Sequence, residues 1–277
     1  MMRYYLDTVA IRKLSRELNG IKDRCYTSAL CIFELISGIN QKEFSARKKA
    51  LENLFNSGIQ IIWELPEAMK TYAFPLVEIQ ESRTPGLKML SNHLLKSADI
   101  DEFISNTRDH IYSQDFFNEL DGIYSSGFIT ATSRGNQTLK EIFQQIREKD
   151  GEVFEKIAKD YLRSLATDPI NRQITISAIA NNLAAGVRKS GDQIEVTEVI
   201  ESYNGSIDVF IDAFSLYTIQ KSALFNSPSK NDFVDLHHLL YLGNEQKDCI
   251  VTDDKMILEI TPYSISIDGF KNIIANF

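Results

Sequence analysis

Four short apolar segments, far apart in the chain, each carry one acidic residue, and this pattern limits how the chain can fold. The acids are Asp7, Glu34, Asp235 and Asp254. Carboxylates that are buried close together repel one another unless a cation compensates their charge. A fold that brings these segments together therefore requires a cation where the acids meet.

Two of the acids stand at the predicted ends of strands. Asp7 closes an apolar run that begins at Tyr4, and a helix is predicted to begin near Val9. Asp254 follows a β-branched run, and the next helix is predicted to begin near Lys255. Both carboxylates are thus expected at the carboxyl ends of short buried strands.

The other two acids are predicted on helices. Glu34 is the one charge in an apolar helix predicted over 28–39, which Ser28 opens as a good N-cap residue. Asp235 lies at the start of a late apolar helix, with Asp232 three residues earlier on the same face. Asp232 and Asp235 can therefore act together.

Strands and helices alternate along the first and last parts of the chain, which predicts an α/β fold with a parallel sheet and helices on both faces. Ligands of such sheets bind at the carboxyl ends of the strands, and Mg²⁺ and Mn²⁺ prefer oxygen ligands. Strands are predicted at 3–7, 24–27, 59–64, just before Asp254 and at 264–267, and helices at 9–18, 28–39, 42–56, from Pro66, at 207–224, around Asp235, from Lys255 and at 270–274.

The order and setting of these segments resemble the PIN-domain family of metal-dependent ribonucleases. The motifs that carry the resemblance are Tyr5-Leu6-Asp7-Thr8, Thr27-Ser28 leading to Glu34, Asp235 opening a late helix, and Val251-Thr252-Asp253-Asp254-Lys255. The resemblance implies a PIN-like fold in which Asp7, Glu34, Asp235 and Asp254 bind one or two Mg²⁺ or Mn²⁺ ions. It also implies that the site activates a water for in-line attack on an RNA phosphodiester, leaving a 5′-phosphate.

Other residues receive supporting roles in this interpretation, with Asp232 as a fifth acid at the metal site. Hydroxyl side chains near the acids are expected to orient ligands or waters. Basic side chains after the first strand are expected to guide the phosphate backbone of RNA. The hydroxyl residues are Thr8, Ser28 and Thr252, and the basic residues are Arg12, Lys13 and Arg16.

Each acid also has a simpler interpretation. Asp7 followed by Thr8 is typical of a helix N-cap, and Glu34 could face solvent or pair with a cation. Asp232 is typical of a first-turn acid that complements the helix dipole. Asp253, beside Asp254, is expected to face solvent.

His237 and His238 suggest a rival metal site. Adjacent helical residues point about 100° apart, so at most one of the two is expected near the carboxylates. A structural or substrate-contacting role is the favoured interpretation for that histidine, ahead of metal ligation.

Composition narrows the class of protein. No apolar stretch approaches the roughly 20 residues of a membrane span, and the first residues lack the apolar core of a secretory signal, so the expectation is a cytoplasmic protein without a membrane partner. Cys25, Cys31 and Cys249 have no metal-binding spacing and are expected to be reduced. The net charge of −8 is unusual for a protein that binds RNA, although a carboxylate metal site explains part of it.

The predicted nuclease domain is interrupted. Residues 1–82 and 206–277 form the PIN-like domain, and residues 83–205 form a mainly helical insertion of unknown role, with helical spacing at 139–165 and 174–187. The resemblance covers about half of the chain, namely 1–82 and 206–277.

Two further functions remain as alternatives to a ribonuclease. The first is a PIN-like binding or assembly module that acts through the insertion, although all four acids are present. The second is an unrelated hydrolase or phosphatase with an aspartate nucleophile, which the absence of a second acid after Asp7 disfavours.

Candidate partners are RNA, a protein inhibitor or antitoxin, and a second copy of the chain. Because the chain is about twice the usual length of a PIN toxin, a defence or RNA-processing nuclease is at least as well supported as a small toxin.

Overall fold

The computed structural model describes residues 2–78, 82–110, 168–189, 194–223, 229–243 and 248–275, with isolated positions between 113 and 164, and the statements below concern these residues. The chain divides into two compact units. Unit 1 comprises Met1–Met69, Ile79–Ile123 and Tyr241–Phe277, and unit 2 comprises Lys70–Glu78 and Tyr124–Leu240.

Unit 1 contains a sheet of five parallel strands in the order β3-β2-β1-β4-β5. This sheet, with helices between its strands, confirms the predicted α/β class. The strands are β1 (Arg3–Leu6), β2 (Cys25–Ser28), β3 (Gln60–Ile62), β4 (Asp248–Val251) and β5 (Ser264–Ile265).

Thirteen helices, from both units, lie within the residues that the structure describes. They are α1 (Thr8–Lys13), α2 (Leu18–Ile21), α3 (Ala29–Ile36), α4 (Phe44–Ser57), α5 (Pro66–Ala73), α6 (Thr84–Lys96), α7 (Ile100–Thr107), α8 (Pro169–Lys189), α9 (Val196–Glu201), α10 (Asp208–Ala223), α11 (Lys230–His237), α12 (Lys255–Ile260) and α13 (Ile267–Ile274). A single 3-10 turn, His238–Tyr241, follows α11 directly.

Strand β1 lies at the centre of the sheet, and its side chains show that helices cover both faces. Successive residues of a strand point to opposite faces. The Tyr4 ring packs on Phe270 of α13, with 4.9 Å between the ring centroids. The Tyr5 hydroxyl instead lies 3.6 Å from the Cys31 sulfur of α3. Helices α3 and α13 therefore lie on opposite sides of the sheet, as predicted.

The strand order creates a switch point between β1 and β4. From β1 the chain moves outward through β2 to β3, whereas from β4 it moves outward to β5 on the other side. In parallel sheets of this kind, the crevice at the carboxyl ends of the two strands where the direction reverses is the usual ligand site. Leu6 pairs with Val251 at that end, so the residues that follow β1 and β4 are neighbours.

The opposite end of the same strand pair is held by a buried carboxylate. Arg3 donates to both oxygens of Asp248, at 3.2 and 2.9 Å, and Tyr26 donates to the same carboxylate at 2.9 Å. The Arg3 guanidinium also lies 4.8 Å from the centre of the Tyr26 ring. This cluster fixes the register of β1 against β4, and with it the positions of Asp7 and Asp254 at the far end.

Several element bounds differ from those predicted. The helix predicted over 9–18 is split into α1 and α2, yet Ile11, Leu14 and Leu18 are all fully buried, so two short helices satisfy the same apolar face. The strand predicted at 264–267 ends at Ile265, because Ser266 caps α13 by accepting a hydrogen bond from Gly269.

The two compact units do not coincide with the predicted domains. Helix α6 packs on α3 and α4 and belongs to unit 1, although it falls in the predicted insertion 83–205. Helix α8 confirms the helix predicted over 174–187. The helix predicted at 139–165 lies almost wholly outside the described residues. The boundaries of the functional domains stay a prediction.

Unit 2 is helical in its described part, and a polar seam joins two of its helices. Arg172 of α8 forms ion pairs with Asp208 and Asp212 of α10. Further along the same helices, the Thr175 and Ser215 hydroxyls lie 2.7 Å apart in a buried hydrogen bond. These polar contacts help to fix how α8 and α10 align.

Candidate metal centre

Asp7 lies where β1 meets α1, at the switch point of the sheet. Its side chain is only 5% exposed, and its backbone N–H donates to the carbonyl of Val251 on β4 at 3.4 Å. Carboxylate oxygen Oδ1 accepts a hydrogen bond from the Ala10 N–H at 2.6 Å, so Asp7 is the N-cap of α1. A carboxylate has about four lone-pair positions, so an aspartate that caps a helix can also serve as a cation ligand.

Asp254 repeats this arrangement after β4. Its Oδ1 accepts from the Ile257 N–H at 2.9 Å, which makes it the N-cap of α12. The buried Thr252 hydroxyl accepts a hydrogen bond from the Asp254 N–H at 2.9 Å and so fixes the turn between strand and helix. Two neighbouring strands thus end in helix-capping aspartates at the same edge of the sheet.

Glu34 reaches this edge through Thr8. The Thr8 hydroxyl, directly after Asp7, donates a hydrogen bond to Glu34 Oε2. Glu34 is the one residue of α3 that is not buried, so the charge interrupts an otherwise apolar helix as the sequence predicts. The hydrogen bond therefore ties the side chain of α3 to the first turn of α1.

The structure does not gather the three carboxylates of unit 1 into one tight group. In the part of the chain that the structure describes, Asp7, Glu34 and Asp254 do not bring one oxygen each within 4.8 Å of one another. The Cys31 sulfur lies within 4.8 Å of a Glu34 carboxylate oxygen. Mg²⁺ commonly keeps several waters between itself and carboxylates, so the acids that hold it need not lie within 4.8 Å of one another.

The fourth acid belongs to the other compact unit. Asp235 lies on α11 in unit 2 and is partly exposed, as is Asp232 one turn before it. Its membership of the predicted metal site stays a prediction.

Asp232 is held by structural contacts within unit 2. It forms a capping box with Ser229, and its carboxylate accepts hydrogen bonds from Tyr217 at 2.6 Å and Lys221 at 2.9 Å. Burial raises the pKa of Asp232, but the hydrogen bonds from Ser229, Tyr217 and Lys221 outweigh burial and lower the pKa to about 2. The simpler interpretation, a first-turn acid that completes a helix start, thus has direct structural support.

His237 and His238 are both buried, and both nitrogens of His237 are engaged. Nδ1 lies 2.6 Å from the Phe233 carbonyl oxygen, and Nε2 lies 2.6 Å from Lys70 Nζ. Burial, and then the charge of Lys70, hold the pKa of His237 well below its usual range. The neutral ring can donate to the carbonyl and accept from the ammonium, and these contacts hold His237 in place. Whether either histidine contacts substrate stays a prediction.

Ser28 does not cap α3 with its side chain, although it occupies the N-cap position. Its hydroxyl instead lies 2.7 Å from the Tyr5 hydroxyl, in a fully buried hydrogen bond. The Tyr5 ring stacks on that of Tyr241, with the centroids 5.6 Å apart. This tyrosine cluster was not predicted, because its members are far apart in sequence and only the tertiary fold brings them together. Whether Ser28 orients a ligand stays a prediction.

The predicted phosphate-guiding side chains lie on the surface. Arg12, Lys13 and Arg16 are all exposed, on α1 or just after it. Lys13 forms an ion pair with Asp253 at 2.7 Å. Asp253 is itself exposed, as predicted.

The cysteines are free, as predicted. Burial raises the pKa of the Cys25 thiol to about 12 and that of Cys249 to about 11. These two thiols therefore remain protonated at neutral pH. Cys25 is buried in the core, whereas Cys249 is only half-buried.

Unit 1 is thus an α/β unit that carries carboxylates at the switch point of an all-parallel sheet. Comparisons of the chain with family models, with curated proteins and with solved structures found no match. Among the helices that the structure describes, none has both the length and the apolar character to cross a membrane.

Proposed function

We propose that this chain is a PIN-like endoribonuclease that depends on Mg²⁺ or Mn²⁺ and hydrolyses RNA phosphodiester bonds. One observation carries the proposal: Asp7 and Asp254 end the two strands that flank the switch point, and Thr8 draws Glu34 to the same edge. Ligands of parallel sheets bind at this place.

The donor set fits a hard divalent cation. Asp7 is almost fully buried, and a buried carboxylate close to other acids is unfavourable without a compensating charge. Carboxylate oxygens are the ligands that Mg²⁺ and Mn²⁺ prefer. Asp7, Glu34 and Asp254 would hold the ion, directly or through water.

The protein's own residues orient these ligands. The N-cap hydrogen bonds of Asp7 and Asp254 fix their carboxylates, and Thr8 fixes that of Glu34. When bound, a divalent ion lowers the pKa of a water and neutralises charge on the phosphate. The exposed side chains of Arg12, Lys13 and Arg16 supply positive charge for the RNA backbone.

The proposal rests on the three acids of unit 1. Asp232 is left out of the ligand set, because Ser229, Tyr217 and Lys221 already occupy its carboxylate. Asp235 is tested separately, because it belongs to unit 2.

The first test is cleavage of a mixed single-stranded RNA pool by the purified protein with Mn²⁺, with Mg²⁺ and with EDTA. The variants are Asp7→Asn, Asp254→Asn and Asp235→Asn, with Asp101→Asn as a control on an exposed acid of α7. Asparagine still caps a helix, so the first two changes remove a charge without removing the cap.

We expect cleavage with a metal, none with EDTA, 5′-phosphate ends on the products, and loss of activity in Asp7→Asn and Asp254→Asn but not in Asp101→Asn. Loss in Asp235→Asn as well would add this residue to the site. Intact RNA under every condition would contradict the proposal and favour a binding or assembly module.

A further inference from the structure

One ion pair joins the two elements that flank the switch point. Lys13 is the last residue of α1, and its Nζ donates to Asp253 Oδ2 at 2.7 Å. Asp253 lies in the turn after β4, directly before Asp254. A cation thus lies beside the proposed site, held by a carboxylate that is not one of the proposed metal ligands.

Asp253 has a second contact that fixes its position. Its Oδ1 accepts a hydrogen bond from the Ile267 N–H at 3.0 Å, at the start of α13. The carboxylate therefore keeps its place if Lys13 moves away.

Lys13 is held much less firmly than Asp253. The side chains of Lys13 and Asp253 are 55% and 35% exposed. Exposed ion pairs contribute little to stability, and lysine carries its charge on a flexible four-carbon chain. Lys13 can therefore exchange one anionic partner for another at little cost.

We propose that Lys13 exchanges Asp253 for a phosphate group when RNA binds, so that Asp253 occupies the phosphate-binding lysine in the free protein. This inference rests on the proposed function, because it takes the RNA backbone as the incoming anion. The net charge of the chain is −8. Until RNA binds, the contact with Asp253 keeps Lys13 at the edge of the site and lowers the affinity of Lys13 for other anions.

The test is a double-mutant cycle on RNA binding. Affinity for a fluorescently labelled single-stranded RNA is measured by anisotropy at several salt concentrations, in EDTA and in Ca²⁺, with a gel to show that the RNA stays intact. The variants are Lys13→Ala, Asp253→Asn and both together. Asparagine can still accept from Ile267, and melting curves check that each variant is folded.

The chain offers a matched control pair on α4. Lys49 and Glu52 lie 3.3 Å apart, with side chains 67% and 33% exposed, close to the values for Lys13 and Asp253. Lys49→Ala, Glu52→Gln and the double variant therefore repeat the same charge changes at an ordinary surface pair.

We expect Lys13→Ala to weaken RNA binding several-fold and to reduce the slope of log affinity against log salt by about 0.7, the value for one phosphate contact on a single strand. Asp253→Asn should strengthen binding several-fold, and this gain should disappear when Lys13 is alanine. The variants of Lys49 and Glu52 should have small and additive effects.

Two results would overturn the inference alone: equal losses from Lys13→Ala and Lys49→Ala, or a gain from Asp253→Asn that persists in full without Lys13. Either result leaves metal-dependent cleavage, and so the proposed function, standing. Wild-type protein that binds no RNA in EDTA or in Ca²⁺, and cleaves none with Mn²⁺ or Mg²⁺, would overturn both.

Discussion

The hydroxyl of Thr8 connects two of the proposed ligands. It follows Asp7 directly in the chain and donates a hydrogen bond to Glu34. A carboxylate held by a hydroxyl has fewer orientations to lose when it binds an ion. Thr8 therefore has the contact expected of a positioning residue. The aliphatic and aromatic neighbours of Glu34 on α3 have no side-chain donor that could hold its carboxylate in the same way.

Replacing Thr8 by valine tests this role, because valine keeps the shape and removes the donor. We expect cleavage or metal affinity to fall about 10- to 100-fold, as for other residues that orient metal ligands. The free energy of unfolding should change by only about 1 kcal/mol, the net value of one hydrogen bond. Metal titrations and cleavage rates measure the effect, with Thr8→Ser as the control. A Thr8→Val protein as active as wild type would remove Thr8 from the site.

The sequence could locate the acids but could not show which of them cap helices and which bind a metal. Asp7 is both a helix cap and a proposed ligand, and both roles place an aspartate where a strand turns into a helix. The contacts of Asp232 with Tyr217 and Lys221 were not predictable, since they depend on how α10 packs on α11. The spacing of residues along one helix does not reveal which residues of another helix they contact.

At the scale of elements, Asp232 links the start of α11 to the side of α10. Its folded-state pKa of about 2 lies below the ordinary value of 3.8. The carboxylate therefore stabilises the fold above about pH 4, and this contribution disappears as the pH falls from about 4 to about 2.

We expect Asp232→Asn to lower the free energy of unfolding by about 1 kcal/mol at neutral pH, a value reduced for solvent around a partly exposed ion pair. The difference from wild type should shrink to nothing as the pH approaches 2. Denaturant unfolding at a series of pH values measures it. Asp101→Asn, at an exposed first-turn acid of α7, is the control. A difference that does not change with pH would mean that the charge of Asp232 is not what stabilises α11.

Element type was easier to predict than element ends. The apolar runs identified the strands of the sheet, and the N-caps Asp254 and Ser266 fix where α12 and α13 begin. Strand order was not readable, because hydrogen-bonded neighbours in a parallel sheet leave no local signal. The switch point, on which the proposed site depends, therefore came from the structure alone.

At the scale of the whole molecule, the sequence predicted an interrupted nuclease domain but not which helices join which compact unit. Helix α6 shows why. Its apolar residues Leu87, Leu90 and Leu94 are fully buried against unit 1, yet the same spacing would suit any apolar surface. Periodicity identifies a helix and its buried face, whereas the partner of that face depends on the tertiary fold.

Metal binding should stabilise the folded molecule by mass action. With metal at about 100 times its dissociation constant, we expect a gain of about 2.7 kcal/mol in wild type. Asp7→Asn and Asp254→Asn should lose most of the gain. Without metal they should melt at the wild-type temperature or above it, because one of several repelling charges is gone. Thermal melts with Mn²⁺, Mg²⁺ and EDTA measure both effects. A wild-type melting temperature that neither metal changes would argue against a metal centre.

The central pairing of β1 with β4 has a consequence for how the protein is made. Residues 3–6 leave the ribosome before their partners at 248–251, which lie far along the chain. Until then the edge that carries Asp7 has no neighbour on that side, and Asp254 does not yet exist. A nascent chain therefore cannot assemble the proposed centre before residues 248–254 have been translated, so an enzyme that cuts RNA would stay inactive beside the messenger that encodes it until then.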